Sequence, residues 1–328
     1  MKMRFSMAGS MMFSAFEPLL QVARTVEEQG FHAFYTSDHL LGVAGMTRET
    51  PVMDPWMLLN AIAMCTSRIK LGVMVTGVTY RHPAVLAKIA ATLDIVSGGR
   101  MELGIGAAWS KDDHLPFGLP FPPLRERQER LEEAVEIIYG LYTQPRFSHA
   151  GKHYQIADAV FEPKPVQAAR PPFLIAAVSE KGLDIAARRA TLWTSISTPA
   201  FAKQCIAKLH EKARGFGRDP SEIVCGQYMD LVFTDSADEA RAALDARMKR
   251  VLAGNGGIAP QARNGIENES IEEQAMASML TGDARTLRAR IRRYADVGIS
   301  HMVVKTPRPF DPALIVKFRR EVMSEFVD

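Results

Sequence analysis

Ile69-Lys70-Leu71-Gly72-Val73-Met74-Val75-Thr76, then Pro83 to Val96, then Met101-Glu102-Leu103-Gly104-Ile105 is the stretch that decides the fold. Its first segment is apolar, β-branched and too short for a helix. The second opens on proline, which suits a first helical turn, and closes at Ser97-Gly98-Gly99, where glycine ends a helix. The third is again a short apolar run. Strand, helix, strand in that order is a crossover unit, and a crossover joins parallel neighbours.

The same alternation runs outward in both directions. Upstream, Met3 to Met7 reads as a strand and Phe16 to Gln29 as a helix stopped by Gly30, with Leu19, Leu20, Val22, Ala23 and Val26 on one side. Ala33 to Thr36 is the second strand. Pro55 to Cys65 is the second helix, with Asp54 as N-cap and proline at N1. Downstream, Arg125 to Tyr142 is a periodic helix and Phe147 to Ile156 a small hairpin around Ala150-Gly151. Strands follow at Phe173 to Ala177, Leu192 to Ile196, Ile223 to Phe233 and Ser300 to Val304. Helices lie at Lys181 to Arg189, Pro199 to Arg214, Ala237 to Leu252, Asp283 to Val297 and Pro312 to Phe326, with a short extra one at Ile271 to Leu280. Eight strands, each followed by a helix, predict a (β/α)8 TIM barrel: one domain over residues 1–328, with insertions after strands 4 and 7. The competing fold is a doubly wound open sheet. Its dinucleotide fingerprint is absent, because Gly104-Ile105-Gly106-Ala107-Ala108-Trp109 has tryptophan where the third glycine belongs and comes late in the chain.

Composition narrows the function. The chain has 328 residues, 47% hydrophobic, and a formal net charge of +3. A chain this long buries a large core. Its charges are interspersed with no basic run, so nucleic acid is not an expected partner, and no segment approaches the ~20 apolar residues of a membrane span. Cys65, Cys205 and Cys225 are far apart and form no CxxC pair, which points to a reducing, cytoplasmic setting. Lys2 and Arg4 precede an apolar stretch from Met7 to Phe13, but that run is short and lacks a cleavage pattern. It reads as a first strand and its loop. Gly254 to Gly265 is glycine-rich and reads as a mobile loop.

In a barrel the active site lies at the C-terminal ends of the strands. Those ends carry Met7 to Ser10, Asp38-His39, Thr76-Gly77-Val78, Gly106 to Trp109, Ala176 to Ser179, Trp193 to Ser197, Gln227 to Asp230 and Lys305-Thr306. His39 is the candidate acid–base group, because imidazole trades a proton near neutrality without large tuning. Asp38 beside it either orients the ring or caps its own turn. Trp109 and Trp193 either line a pocket or fill core, and Met11, Met12 and Met46 are candidate pocket residues. Lys305 either neutralises an anion or is a solvated lysine. His82, before Pro83, reads as structural. His39 is followed by Leu40-Leu41 rather than a second ligand, so no metal site is assigned, and no Gly-x-Ser-x-Gly elbow marks a covalent nucleophile.

Seven motifs in order carry a family resemblance. They are Ser37-Asp38-His39; Leu71-Gly72 with Thr76-Gly77-Val78-Thr79; Arg81-His82-Pro83-Ala84-Val85-Leu86-Ala87; Ala91-Thr92-Leu93-Asp94 with Ser97-Gly98-Gly99-Arg100; Glu102 to Trp109; Phe117 to Arg127; and Pro163-Lys164-Pro165-Val166-Gln167. Together the chain resembles the bacterial-luciferase-like superfamily. That resemblance implies a (β/α)8 barrel binding the deazaflavin F420 or FMN, acting as an oxidoreductase or monooxygenase on a small organic substrate. A homodimer is expected, and a flavin reductase as partner if the cofactor is FMN. It also implies His39 as proton donor or acceptor with Asp38 orienting it. Thr76, Gly77, Val78, Gly106, Ala107, Ala108, Trp109, Ala176, Ala177 and Ser179 become the expected cofactor-binding positions, and a non-prolyl cis peptide is expected at Gly77-Val78. Two departures stand out. Ala176-Ala177-Val178-Ser179 replaces a glycine-rich phosphate turn. Trp109 stands where F420-dependent sugar-phosphate dehydrogenases carry glutamate. A non-catalytic flavin-binding barrel and a metal-assisted barrel hydrolase are the alternatives.

Overall fold

A computed structural model describes residues 2–9, 15–42, 47–169, 171–252, 270–305 and 310–327. Met11, Met12, Met46, Thr306 and the stretch 254–265 lie outside those residues.

The chain runs β1 (Arg4–Gly9), α1 (Glu17–Glu28), β2 (Ala33–Thr36), α2 (Pro55–Met64), β3 (Lys70–Gly77), α3 (Pro83–Val96) and β4 (Met101–Gly106). Next come two 3-10 turns (Lys111–Asp113, Leu115–Phe117), α4 (Leu124–Thr143), the hairpin β5 (Phe147–Ala150) and β6 (Gln155–Ala159), and β7 (Phe173–Ala176). The second half is α5 (Glu180–Arg189), β8 (Ala190–Ser195), α6 (Pro199–Gly215), β9 (Val224–Phe233), α7 (Ala237–Leu252), α8 (Ile271–Ala277), β10 (Met279–Gly282), α9 (Ala284–Ala295), β11 (His301–Lys305) and α10 (Pro312–Glu321).

Eight strands close a parallel barrel in the order β9-β11-β1-β2-β3-β4-β7-β8, with β8 returning to β9. This is the expected (β/α)8 barrel. One strand was not expected. Met279–Gly282 does not continue helix α8 but forms β10, which pairs in parallel with the outer half of β9 from Asp230 to Phe233. The inner half of β9 pairs with β11. The additions after the fourth and seventh barrel strands are therefore the 3-10 turns and the hairpin in one case, and α7, α8 and β10 in the other.

The apolar residues divide as the alternation of side chains along a strand requires. A large cluster lies between barrel wall and helices and includes Leu71, Leu103, Ile105, Ile175 and Trp193. A smaller one, made of strand residues alone, fills the barrel: Ala8, Ala33, Tyr35, Leu174, Leu192 and Val303, with Met74, Val75, Val224 and Tyr228 against it. Trp193 thus faces the helices, not a pocket; it is fully buried and its Nε1 donates to the Ala177 carbonyl at 2.7 Å.

The irregularity in β3 falls earlier than the resemblance implied. Its register with β4 shifts between Val73 and Thr76, and the non-prolyl cis peptide is Met74–Val75, not Gly77–Val78. The shift pushes Val73 and Val75 against β4, and that explains β4's glycines. A β-carbon at Gly104 would lie 1.9 Å from the Val73 carbonyl oxygen, and one at Gly106 2.8 Å from Val75 Cγ2.

The N-terminal end of the barrel holds a polar layer. Glu102 accepts a short hydrogen bond from Tyr35 Oη and binds His32 Nε2 at 3.1 Å. Beside it, His301 Nε2 meets Ser6 Oγ at 2.7 Å, and the His32 and His301 rings stand edge to face. Burial works to raise the Glu102 carboxyl, but the His32 bond and charge and the Tyr35 hydroxyl bring it down to about 2. Burial, with His32 nearby, pushes His301 down to about 3.

Candidate active site

Three adjacent strands, β2, β3 and β4, supply one corner of the barrel mouth. After β2 the chain passes Ser37, Asp38 and His39. After β3 it passes Val78, Thr79, Tyr80 and Arg81. After β4 it turns through Ala107 to Ser110 into the first 3-10 turn, where Ser110 Oγ caps Asp113 N at 3.3 Å.

That cap sets Asp113 under His39. The Asp113 carboxylate is fully buried and accepts from His39 Nδ1 at 2.6 Å, Leu40 N at 3.0 Å, Leu41 N at 3.2 Å and Tyr80 Oη at 3.1 Å. Burial would raise its pKa, but the bond and charge of His39 and the two backbone N–H groups outweigh that and hold it below the ordinary carboxylate range. An ionised Asp113 can only accept, so Nδ1 is the donor in this contact and Nε2 is the ring nitrogen left for another partner. Trp109 stands edge to face against that ring, with centroids 5.6 Å apart at 80°.

The loop carrying Asp113 is itself held down by His114. This ring stacks on Tyr80 at 4.6 Å, donates from Nδ1 to the Ser110 carbonyl at 2.7 Å and accepts from Thr79 Oγ1 at 2.6 Å. Burial, the leading influence, pushes its pKa down, which suits a neutral two-sided strut.

Asp38 does not orient His39. Its buried carboxylate takes a short bond from Thr76 Oγ1 and a two-pronged contact from Arg81, 2.5 Å from Nη1 and 3.3 Å from Nη2. Arg81 Nη2 also reaches Asp54 Oδ2 at 2.9 Å, and Asp54 Oδ1 caps α2 through Met57 N at 2.9 Å. A bidentate guanidinium outcompetes a neutral imidazole for a buried carboxylate, so Asp38 ties the ends of β2 and β3 to α2. His82 is structural, accepting from Ala84 N at 3.2 Å as the N-cap of α3.

The other expected positions are spread round the mouth. Thr76 is taken up by Asp38, and Val78 is core, with its N–H on the Gly106 carbonyl at 2.9 Å. A β-carbon at Gly77 would come 2.8 Å from the Tyr80 ring and 2.9 Å from Ala108 Cβ, so glycine there allows the close approach of two loops. Ala107 gives its carbonyl to Arg127 Nε at 3.0 Å, and Ala108 has φ +59°. Across the barrel, Ala176 ends β7, and Ser179 caps α5 while its Oγ accepts from Gln128 Nε2 at 3.1 Å. Thr194, in register with Ala176 on β8 and two residues above Leu192, has a buried hydroxyl with no partner among the described residues.

Asp113, Tyr80 and Arg81 are the site residues that sequence reading missed. The signal for the first was Ser110-Lys111-Asp112-Asp113-His114, a capping serine and two acids in a loop after a barrel strand. Among the described residues no group of three or more His, Cys, Asp or Glu is placed to hold a metal ion, and no helix is long and apolar enough to cross a membrane.

The fold is thus a parallel (β/α)8 barrel with a carboxylate-held histidine at the C-terminal ends of its strands. The profile of the family described as luciferase-like monooxygenase matches residues 4–301, and the chain belongs to that family of oxidoreductases. Among curated relatives, the F420-dependent glucose-6-phosphate dehydrogenase of Nakamurella multipartita is 29% identical over 303 residues, covering 88% of this chain and 86% of the relative. Among solved structures, an F420-dependent secondary alcohol dehydrogenase in complex with an F420–acetone adduct superposes over all of both chains, with a TM-score of 0.84 at 20% identity. EDTA monooxygenase from Chelativorans sp. BNC1 gives 0.80 at 17% identity, over 99% of this chain and 93% of its own. These two show that the fold is shared.

Proposed function

We propose that the chain is an F420-dependent oxidoreductase acting on a small organic substrate, with His39 handling the proton that accompanies hydride transfer. The observation that carries this reading is the Asp113–His39 pair. A buried carboxylate fixes the tautomer, so Nε2 can accept or return a proton without reorganisation. F420 supplies the hydride chemistry. Four relatives at 27–29% identity, matching 88–94% of this chain, bear the name of F420-dependent enzymes.

The cofactor would be held between Thr76-Gly77 and Gly106 to Trp109 on one side and Ala176-Ala177 with Ser179 on the other, with the Thr194 hydroxyl supplying a polar contact. Trp109 shields one edge of His39 from water. The second reading is monooxygenation with reduced FMN supplied by a flavin reductase, which the description of the family favours. Titration of the purified chain with F420 and with FMN, each in reduced form, separates the two: F420 is expected to bind, and FMN alone binding selects the second. Binding of neither overturns both.

The chain is further proposed to work as a homodimer through α2 and α3. Helix α2 has no charged residue, and the two on α3 are engaged, Lys88 at the Glu162 carbonyl and Asp94 with Gln167. Their outward residues nevertheless include Met57, Met64 and Val85, exposed by 73%, 74% and 54%. Helices apolar all round are buried ones, and a self-complementary patch suits a two-fold contact. Sedimentation should give a dimer for the native chain and a monomer for Met57→Glu/Met64→Glu; a native monomer sinks the idea.

A further inference from the structure

Asp230 and Lys305 end the interior faces of β9 and β11. They are in register with one another, as are Tyr228 and Val303 two residues below. Tyr228 and Val303 pack inside the barrel, so by alternation Asp230 and Lys305 point to the same interior at its open end. Lys305 Nζ is 4.0 Å from Asp230 Oδ1, and the two side chains are 29% and 30% exposed. On the other side of Lys305 its partner in register is Ala8, which contributes only a methyl group.

A second cation reaches the same carboxylate. Arg247 Nη2 pairs with Asp230 Oδ2 from α7, and its side chain is buried. The buried residues of α7 are Leu244, Arg247 and Val251, so the arginine occupies the centre of the helix's packing stripe. The bland reading is an ion pair that pins α7 to β9. As a pin it is inefficient, because a buried pair recovers little beyond its own desolvation and an apolar side chain anchors a helix as well. What sets this pair apart is its location. A guanidinium from α7 and an ammonium from the end of β11 converge on the one carboxylate at the end of β9, with β1 between β11 and the His39 strand.

We infer that Arg247 and Lys305 form the recognition point for an anionic group, carboxylate or phosphate, on the substrate, with Asp230 holding the two cations in position. This rests on the mouth being the reaction site proposed above. The anion would anchor the end of the substrate remote from His39. Guanidinium suits a planar or tetrahedral oxyanion through paired N–H groups, and the ammonium adds a point charge.

The probe is inorganic phosphate, with malonate as a dicarboxylate, titrated calorimetrically into the full chain with and without saturating F420 or FMN. Wild type should bind at least one of the two, and Lys305→Met should weaken that binding roughly tenfold or more. Asp230→Asn should tighten it several-fold, since the competing carboxylate is gone; a mere pin would give no tightening. Arg247→Met should act like Lys305→Met, and if it fails to fold the partly exposed Lys305 carries the test. Cofactor affinity should be unchanged in Lys305→Met. Equal anion binding in wild type and Lys305→Met overturns the inference, as does no binding up to about 10 mM. Loss of anion binding on cofactor saturation would assign the point to the cofactor's phosphate and overturn the substrate assignment. Because cofactor binding is read separately, failure here is distinguishable from failure of the oxidoreductase reading.

Discussion

The two ends of the barrel carry the same three groups in different bonding. At the mouth His39, Asp113 and Tyr80 form a histidine–carboxylate–tyrosine set; at the closed end His32, Glu102 and Tyr35 form another. In the closed-end set each carboxylate oxygen takes a side chain, and a second pair, His301 with Ser6, lies beside it. In the mouth set one carboxylate oxygen is spent on two backbone N–H groups, which position the loop, and the other takes both the His39 ring and the Tyr80 hydroxyl. The difference teaches that a histidine beside a carboxylate is not in itself a catalytic sign. What matters is whether the second ring nitrogen faces a space that a ligand can enter.

The comparison breaks most sharply at His39. His39→Ala should lower turnover by about 10² to 10⁴ while leaving cofactor affinity within a factor of two or so; unchanged turnover removes His39 from the mechanism. The same chemical edit at the two ends is the next test. Asp113→Asn should cost about 10²-fold in turnover by loosening the tautomer, with a modest loss of stability. Glu102→Gln should leave turnover nearly intact but cost about 2–3 kcal/mol of folding stability, because it strands His32 and Tyr35 beside a weaker acceptor. Urea midpoints and steady-state rates on both variants decide it, and a catalytic loss in Glu102→Gln would erase the contrast.

The smallest effect is a slope. Glu102 titrates near 2 in the folded chain, below its ordinary value, so its contribution is present above pH 4.5 and is lost as pH falls towards 2. His301 titrates near 3, so below pH 6.5 the unfolded chain takes up a proton that the folded chain refuses. Both remove stability in acid, each by up to about 1.4 kcal/mol per pH unit within its window. Stability flat from pH 6.5 to 4.5 would show that His301 is not held neutral.

The barrel was legible because its strands are buried on both faces and read as unbroken apolar runs between capped helices. β10 escaped because Met279–Gly282 is only four residues long and follows α8 without a proline or glycine to mark the change. At the mouth, the place of His39 after β2 was legible from the strand pattern. Its carboxylate was not, because Asp113 lies 74 residues away and only the parallel pairing of β2, β3 and β4 brings the loops together. Asp38 looked like the partner through adjacency, but neighbours in an extended chain point apart, and Arg81 claims it. The cis peptide was placed at the glycine that eases strain, whereas the register shift sits at Val73 to Thr76.

Asp113 belongs to a different loop from the histidine it serves, and that same loop presents Leu115 and Phe117 to solvent. Holding the His39 ring and folding the β4–α4 loop are consequently a single event. Substitutions that retune the rim of the mouth are free at Leu115 and Phe117 but constrained at Ser110, Asp113 and His114. A lineage exploring new substrates through this loop would therefore drift at its crest while its hinge stays fixed, and a protease cut there would silence the histidine without touching it.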